Sequence, residues 1–97
     1  MSFEIEVSIP MVPGVRGDDP VLLALRRGQD LERCLGIEAL ESGAGFGYRD
    51  LTFEAKSKRT ADLLITRIRQ WLKAQGIGLR GENKAHVRVL THSARYL

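Results

Sequence analysis

The chain has few of the residues from which covalent or metal-based frameworks are built. Its 97 residues include one cysteine, Cys34, and two histidines, His86 and His92. A single cysteine excludes an intrachain disulfide, and neither histidine stands at metal-ligand spacing from a second good ligand. We therefore expect no metal and no cofactor, and we expect Cys34 to serve as a small hydrophobic residue in the core.

The sequence also lacks any apolar run that approaches the roughly 20 residues of a membrane-spanning helix. Its first residues alternate between apolar and acidic types, whereas a signal peptide combines a basic start with an unbroken apolar stretch. The apolar share of 43% and the charged share of 28% are ordinary for a soluble protein. These features predict a single domain over residues 1–97, a cytoplasmic location and no membrane partner.

Acidic and basic residues are unevenly divided along the chain, although the net charge is only +3. Residues 1–54 hold ten acids and five bases, and residues 55–97 hold ten bases and two acids, which gives −5 and +8. This asymmetry is typical of a polyanion partner or of a self-complementary assembly. It also arises when neighbouring elements neutralise one another within one fold.

Alternation of apolar and polar residues predicts the strands. The predicted strands cover residues 3–9, 37–42, 50–55 and 86–90. A period of two residues gives each strand one apolar and one polar face, although the register of the second strand is unclear. We expect the odd-numbered apolar residues of the first and third strands to lie beneath helices. The opposite, open face of the sheet is then expected to present Glu4, Glu6, Asp50, Thr52 and Glu54.

A first helix is predicted to begin at Asp19-Pro20, where a capping acid precedes proline, and to end at Gly36. Its apolar stripe is imperfect and consists of Leu22, Leu25, Leu31, Cys34 and Leu35. Gly28 weakens this helix by roughly 1 kcal/mol relative to alanine, so a break there is one alternative.

A second helix is predicted to begin after Ser57 or Thr60 and to end at Gly76 and Gly78. It carries the clearest periodic pattern in the chain, because its apolar residues fall on one face at 100° per residue. These residues are Ala61, Leu64, Ile65, Ile68, Trp71 and Leu72.

The resulting order is β-α-β-β-α-β. For one small domain, this order favours a four-stranded antiparallel sheet with both helices on one face. The pattern is similar to the ferredoxin-like plait, an α+β fold that hosts many unrelated functions.

Three glycines lie directly before the third strand, and they predict a sharp turn or a ligand-facing loop because glycine tolerates positive φ and close backbone approach. The aromatic residues that follow them would wall a pocket. The ligand site predicted here consists of Gly43, Gly45, Phe46, Gly47, Tyr48 and Arg49.

Residues 44–51 resemble the RNP1 octet of RNA-recognition motifs, which lies on the third strand of the same fold. The resemblance rests on Gly45 to Tyr48 and implies that Phe46 and Tyr48 stack on bases. It fails at Ala44, Arg49 and Leu51, where the family has a basic, an aliphatic and an aromatic residue. The acidic open face would also repel phosphates, so RNA binding through the sheet is disfavoured.

Basic residues on the polar side of the second helix form another candidate surface, for anions or nucleic acid. They are Lys56, Lys58, Arg59, Arg69 and Lys73, and Arg80 and Lys84 follow nearby. A solvated amphipathic helix carries the same pattern without binding anything.

Residues 12–17 contain two glycines and precede the first helix, at a place where acylphosphatases bind phosphate in this fold. Asp18 and Asp19 would repel a phosphate there, and the family's close run of glycines around a Phe-Arg pair is absent. A phosphate site is therefore disfavoured.

No arrangement of residues identifies a reaction. We expect a non-enzymatic binding or assembly module, with a protein partner, a small ligand or a second copy of the chain held through the sheet. The alternative is an accessory protein that binds nucleic acid or anions through the basic face of the second helix.

Overall fold

A computed structural model describes residues 2–11, 19–45, 47–81 and 84–91. The glycine loop at 12–17, Phe46 and His92 lie outside the described residues. The elements, in chain order, are β1 (Phe3–Pro10), α1 (Pro20–Leu35), β2 (Glu41–Gly45), β3 (Tyr48–Ala55), α2 (Lys58–Ala74) and β4 (His86–Thr91).

The four strands form one sheet in the order β2-β3-β1-β4, and every neighbouring pair is antiparallel. α1 contacts β3, and α2 contacts both β1 and β3. The predicted α+β ferredoxin-like plait is therefore confirmed. Neither helix in the described part of the chain is long and apolar enough to cross a membrane.

The helix-facing side of the sheet is the apolar side, as the alternation predicted. Ile5, Val7 and Ile9 of β1 are fully buried, and so are Leu51 and Phe53 of β3. Cross-strand pairing places Ile5 beside Phe53 and Val7 beside Leu51, so the apolar residues of the two central strands form one continuous layer.

α2 packs on this layer through the predicted stripe, with Ala61, Leu64, Ile68, Trp71 and Leu72 buried. Ser57 is its N-cap, and the Ser57 hydroxyl accepts a hydrogen bond of 3.1 Å from the Thr60 amide. Trp71 Nε1 donates to Asp30 Oδ2 at 2.8 Å, which links α2 to α1.

α1 is continuous through Gly28, and its predicted stripe was right only for Leu31 and Leu35, which are buried. Leu22 is 54% exposed, Leu25 is 39% exposed and Cys34 is exposed. The rest of the buried face consists of Ala24 and Gly28. The sequence pattern misled because the helix makes its close approach to β3 at a glycine, and a glycine carries no apolar side chain to count.

β2 begins at Glu41, not at Ile37, so the predicted second strand was misplaced. Gly43 and Gly45 belong to the strand itself, and the turn is the two-residue loop between the paired residues Gly45 and Tyr48. Gly47 is the turn glycine that adopts positive φ, at +82°.

The open face of the sheet carries the predicted polar residues, but two of them are not exposed as expected. Glu4 is 6% exposed and Thr52 is 8% exposed. Thr52 pairs with Glu6 on one side and Glu41 on the other, and these longer side chains cover it.

Candidate functional site

The predicted ligand site at the glycine hairpin is not brought together as one pocket. Tyr48 and Arg49 are consecutive in β3, so their side chains lie on opposite faces of the sheet. Tyr48 is on the open face, where its ring lies 5.3 Å from the ring of His86. Arg49 is on the helix side, and its Nη1 donates to the Gly43 carbonyl at 3.2 Å.

The Arg49 side chain lies where α1 comes closest to the sheet. A methyl group built on Gly28 would be 3.6 Å from Arg49 Nε and 3.5 Å from Leu51. Arg49 Nε is buried and has no hydrogen-bond partner within the described residues. This arginine therefore packs between α1 and β3, with its Nη1 hydrogen-bonded to the Gly43 carbonyl of β2.

A small hollow on the open face includes Gly43, one residue of the predicted ligand site, and it is lined by acidic side chains. The hollow has a volume of about 220 Å³ and is lined by Glu6, Glu41, Ser42, Gly43, Asp50 and Thr52. Ser8 donates to Asp50 Oδ1 at 2.7 Å beside it. Three carboxylates around one hollow repel phosphates and other anions. A nucleic acid whose base stacked on Tyr48 would bring its phosphates close to these carboxylates, so the open face disfavours such binding.

One described ion pair neutralises part of the open face. Arg88 Nη2 lies 2.6 Å from Glu6 Oε1, and Arg88 Nε donates to the same oxygen at 3.1 Å. The hydrogen bond to Glu6, followed by the charge of Glu6, raises the pKa of the Arg88 guanidinium. The guanidinium therefore stays protonated at every pH below that raised pKa, so Arg88 supplies no pH switch near neutrality.

The predicted basic surface on α2 is divided into two groups. Lys56, Lys58 and Arg59 are exposed at the start of the helix, and Arg69 and Lys73 are exposed in its C-terminal half. Lys58 and Arg69 are eleven residues apart, which corresponds to about 16 Å along a helix axis. The five residues therefore do not form one compact patch.

The C-terminal group joins a groove that the loop after α2 completes. The groove has a volume of about 610 Å³ and is lined by Arg69, Leu72, Lys73, Gly76, Ile77, Gly78, Leu79 and Arg80. It is open along one side, and its size falls within the about 300–1,000 Å³ typical of ligand sites.

Local backbone chemistry forms the groove. Gly76 has φ of +74°, the Gly76 amide donates to the Lys73 carbonyl at 3.0 Å, and the Ile77 amide donates to the Leu72 carbonyl at 2.9 Å. These bonds form a Schellman motif, which ends the helix and turns Ile77 back against Leu72. The Ala85 amide then donates to the Gly78 carbonyl at 2.9 Å and fixes the far side of the loop.

Three cations surround an apolar floor in this groove. Leu72 and Ile77 are buried, whereas Leu79 remains 42% exposed. Arg69, Lys73 and Arg80 are exposed, and within the described residues none of them makes an ion pair. Among the described residues, which stop at Gly81 and resume at Lys84, no acidic residue lines the groove. Its chemistry therefore suits an anionic group attached to an apolar one.

The sequence pattern identified all three cations but not the groove. Arg69 and Lys73 were predicted as part of the helix surface and Arg80 as a basic residue near it, whereas the apolar residues Ile77 and Leu79 were not assigned to a site. The available signal was their alternation with Gly76 and Gly78, directly after a helix that ends in basic residues.

Other site chemistry is limited in the described part of the chain. No group of three or more His, Cys, Asp or Glu side chains there is placed to hold a metal ion. Comparison with known proteins gives no relative to consult: no family model, no curated protein and no solved structure matches the chain. The function is therefore argued from the geometry alone.

Proposed function

We propose that the chain is a non-enzymatic binding module, and that a protein partner docks an acidic and apolar segment into the groove of residues 69–80. The observation that carries this proposal is an exposed leucine, Leu79, in a groove whose described lining holds the three cations Arg69, Lys73 and Arg80 and no acid.

The open side of the groove favours a segment of a protein over a small molecule. A small ligand gains affinity when most of its surface is buried, and an open groove leaves one side of it in water. A segment carried by a protein has its other side covered by its own fold. Carboxylates on that segment would contact the basic rim, and an apolar side chain would cover Leu79.

Nucleic-acid binding through α2 is the second candidate. Lys56, Lys58 and Arg59 supply exposed positive charge at the start of the helix, with Asp62 as the acid on the neighbouring turn. Phosphates would be attracted to both basic groups of α2. The described lining of the groove offers no aromatic side chain on which a base could stack. The cytoplasmic location inferred from the sequence stays a prediction under either proposal.

A charge-reversal pair on one helix separates the two candidates. Binding would be measured by fluorescence anisotropy with two probes, a short labelled peptide of alternating glutamate and leucine and a labelled single-stranded RNA of mixed sequence. The groove variant is Arg69→Glu with Lys73→Glu. The matched control carries the same charge change at the start of α2, as Lys58→Glu with Arg59→Glu.

Docking in the groove predicts that the peptide binds, that the groove variant weakens it about tenfold or more, and that the control variant changes it far less. Leu79→Ser should weaken the same peptide because it removes the exposed part of the apolar floor. RNA binding that both charge reversals weaken, with no peptide binding, would instead establish the second candidate and overturn the first.

A further inference from the structure

The segment of residues 37–41 has the surface that the groove would bind. Ile37 is 36% exposed and Leu40 is 55% exposed, although both are large apolar residues. Glu38 and Glu41 are exposed between and after them, and neither makes an ion pair within the described residues. Two carboxylates and two apolar side chains thus alternate on one short surface segment.

From this match, and resting on the binding function proposed above, we infer that the partner is a second copy of the chain. Segment 37–41 of one copy docks in the groove of the next, so that Glu38 and Glu41 meet the basic rim and Leu40 covers Leu79. The acid-rich first half of the sequence then supplies the segment, and the base-rich second half supplies the groove.

The segment is held in a fixed position, which reduces the entropy cost of docking. The Ala39 amide donates to Glu32 Oε2 at 2.9 Å, and the Leu40 amide donates to the Thr52 carbonyl at 2.7 Å. The backbone is anchored at two consecutive residues, while the side chains of Glu38 and Leu40 stay exposed. The groove wall is also fixed by a backbone hydrogen bond, which the Ala85 amide donates to the Gly78 carbonyl.

The segment and the groove share no residue. Their contact forms twice in a two-fold dimer where both surfaces meet at once, and otherwise produces an open chain of copies or a larger ring. In each arrangement a copy that lacks one surface still offers the other, which makes the contact testable by mixing two variants.

Complementation of two variants tests this arrangement by sedimentation velocity. The groove variant is Arg69→Glu with Lys73→Glu, and the segment variant is Glu38→Gln with Leu40→Ser. The wild-type chain should form species above the monomer that grow with protein concentration, and each variant alone should remain monomeric. An equimolar mixture should form species of two copies and no larger, because one intact segment meets one intact groove.

A control variant and a check of folding accompany this experiment. Leu63→Ser removes a leucine of similar exposure, 52%, from a part of α2 outside the groove, and it should associate like the wild type. Circular dichroism of each variant checks that it is folded. If a variant does not fold, the single changes Lys73→Gln and Glu38→Gln replace the double ones and should each weaken association.

A wild-type chain that stays monomeric at millimolar concentration would overturn the inference, as would a mixture that assembles no further than its separate components. The peptide experiment keeps this outcome distinct from failure of the proposed function. A monomeric chain that binds the glutamate-leucine peptide in its groove retains the binding function with another protein as partner. A monomeric chain that binds no peptide would contradict both the self-association and the proposed binding function.

Discussion

At the scale of single residues, the two glycines at the ends of the β2–β3 turn differ in what they require. Gly47 has φ of +82°, a conformation that costs an L-residue about 1–2 kcal/mol. Gly45 is paired with Tyr48 in the ladder, does not have positive φ, and has no atom within 4 Å of a built Cβ. The sequence alone could not distinguish these two positions.

Gly47→Ala is therefore expected to lower the free energy of unfolding by about 1–2 kcal/mol. Gly45→Ala is the matched control and should leave stability unchanged or raise it by about 0.4–1 kcal/mol, because it restricts the unfolded chain. Urea denaturation of both variants measures this difference. Equal losses at the two positions would mean that the backbone conformation of Gly47 is not what the turn depends on.

Gly28 is a glycine inside a helix, where its usual effect is to weaken the helix by roughly 1 kcal/mol. A methyl group there would meet Leu51 at 3.5 Å, which is an ordinary van der Waals contact. Gly28→Ala is therefore expected to stabilise the protein by up to about 1 kcal/mol, whereas Gly28→Leu should destabilise it because α1 lies too close to β3. Thermal midpoints would show opposite signs for the two changes, and a loss with alanine would contradict the spacing described here.

At the scale of elements, α2 packs on the two central strands of the sheet. Ile68 of α2 and Phe53 of β3 are both fully buried in the same core. Truncation of either to alanine should cost about 2–5 kcal/mol through lost burial and the cavity that remains. Leu63→Ala, on the exposed side of the same helix, is the control and should change stability little. A denaturation midpoint unchanged in Phe53→Ala or Ile68→Ala would show that the helix-facing side is assigned wrongly.

Most elements could be predicted because a single physical signal dominated each of them. Period-two alternation placed β1, β3 and β4. Because α2 packs on both central strands, its predicted stripe was correct except that Ile65 is only partly buried. α1 was located by Asp19 and Pro20, but only Leu31 and Leu35 of its predicted stripe are buried. Leu22 and Leu25 are exposed leucines, and Gly28 is a buried residue without a side chain, so hydrophobicity placed the first half of the buried face wrongly.

β2 was misplaced for a related reason. Its residues include Gly43 and Gly45, which have low strand propensity, whereas Ile37 and Leu40 just before it are apolar. The bounds of β2 are set by its pairing with β3. Because this edge strand buries no side chain, its sequence shows no alternation of apolar and polar residues. The exposed apolar residues that suggested a strand belong instead to the segment that we propose to dock in the groove.

At the scale of the whole molecule, the candidate site was only partly predictable. The division into acidic and basic halves is visible in the sequence and favours either neutralisation within the fold or assembly. The ion pair between Glu6 and Arg88 joins the acidic half to the basic half, so part of this charge is neutralised within the fold. The groove depends on the turn at Gly76, which folds a loop back onto α2, and a linear pattern does not reveal that approach.

Salt provides the last test, because it should affect assembly and folding differently. The proposed contacts between the 37–41 segment and the groove join exposed charges, and the screening length falls from about 10 Å at 0.1 M salt to about 3 Å at 1 M. Association by sedimentation should therefore weaken as sodium chloride is added. The thermal midpoint of the groove variant Arg69→Glu with Lys73→Glu should change little over the same range, because the described ion pair is exposed and such pairs contribute about 0–1 kcal/mol. Association that strengthens with salt would mean that copies meet through apolar contact alone, and the basic rim would then have no part in it.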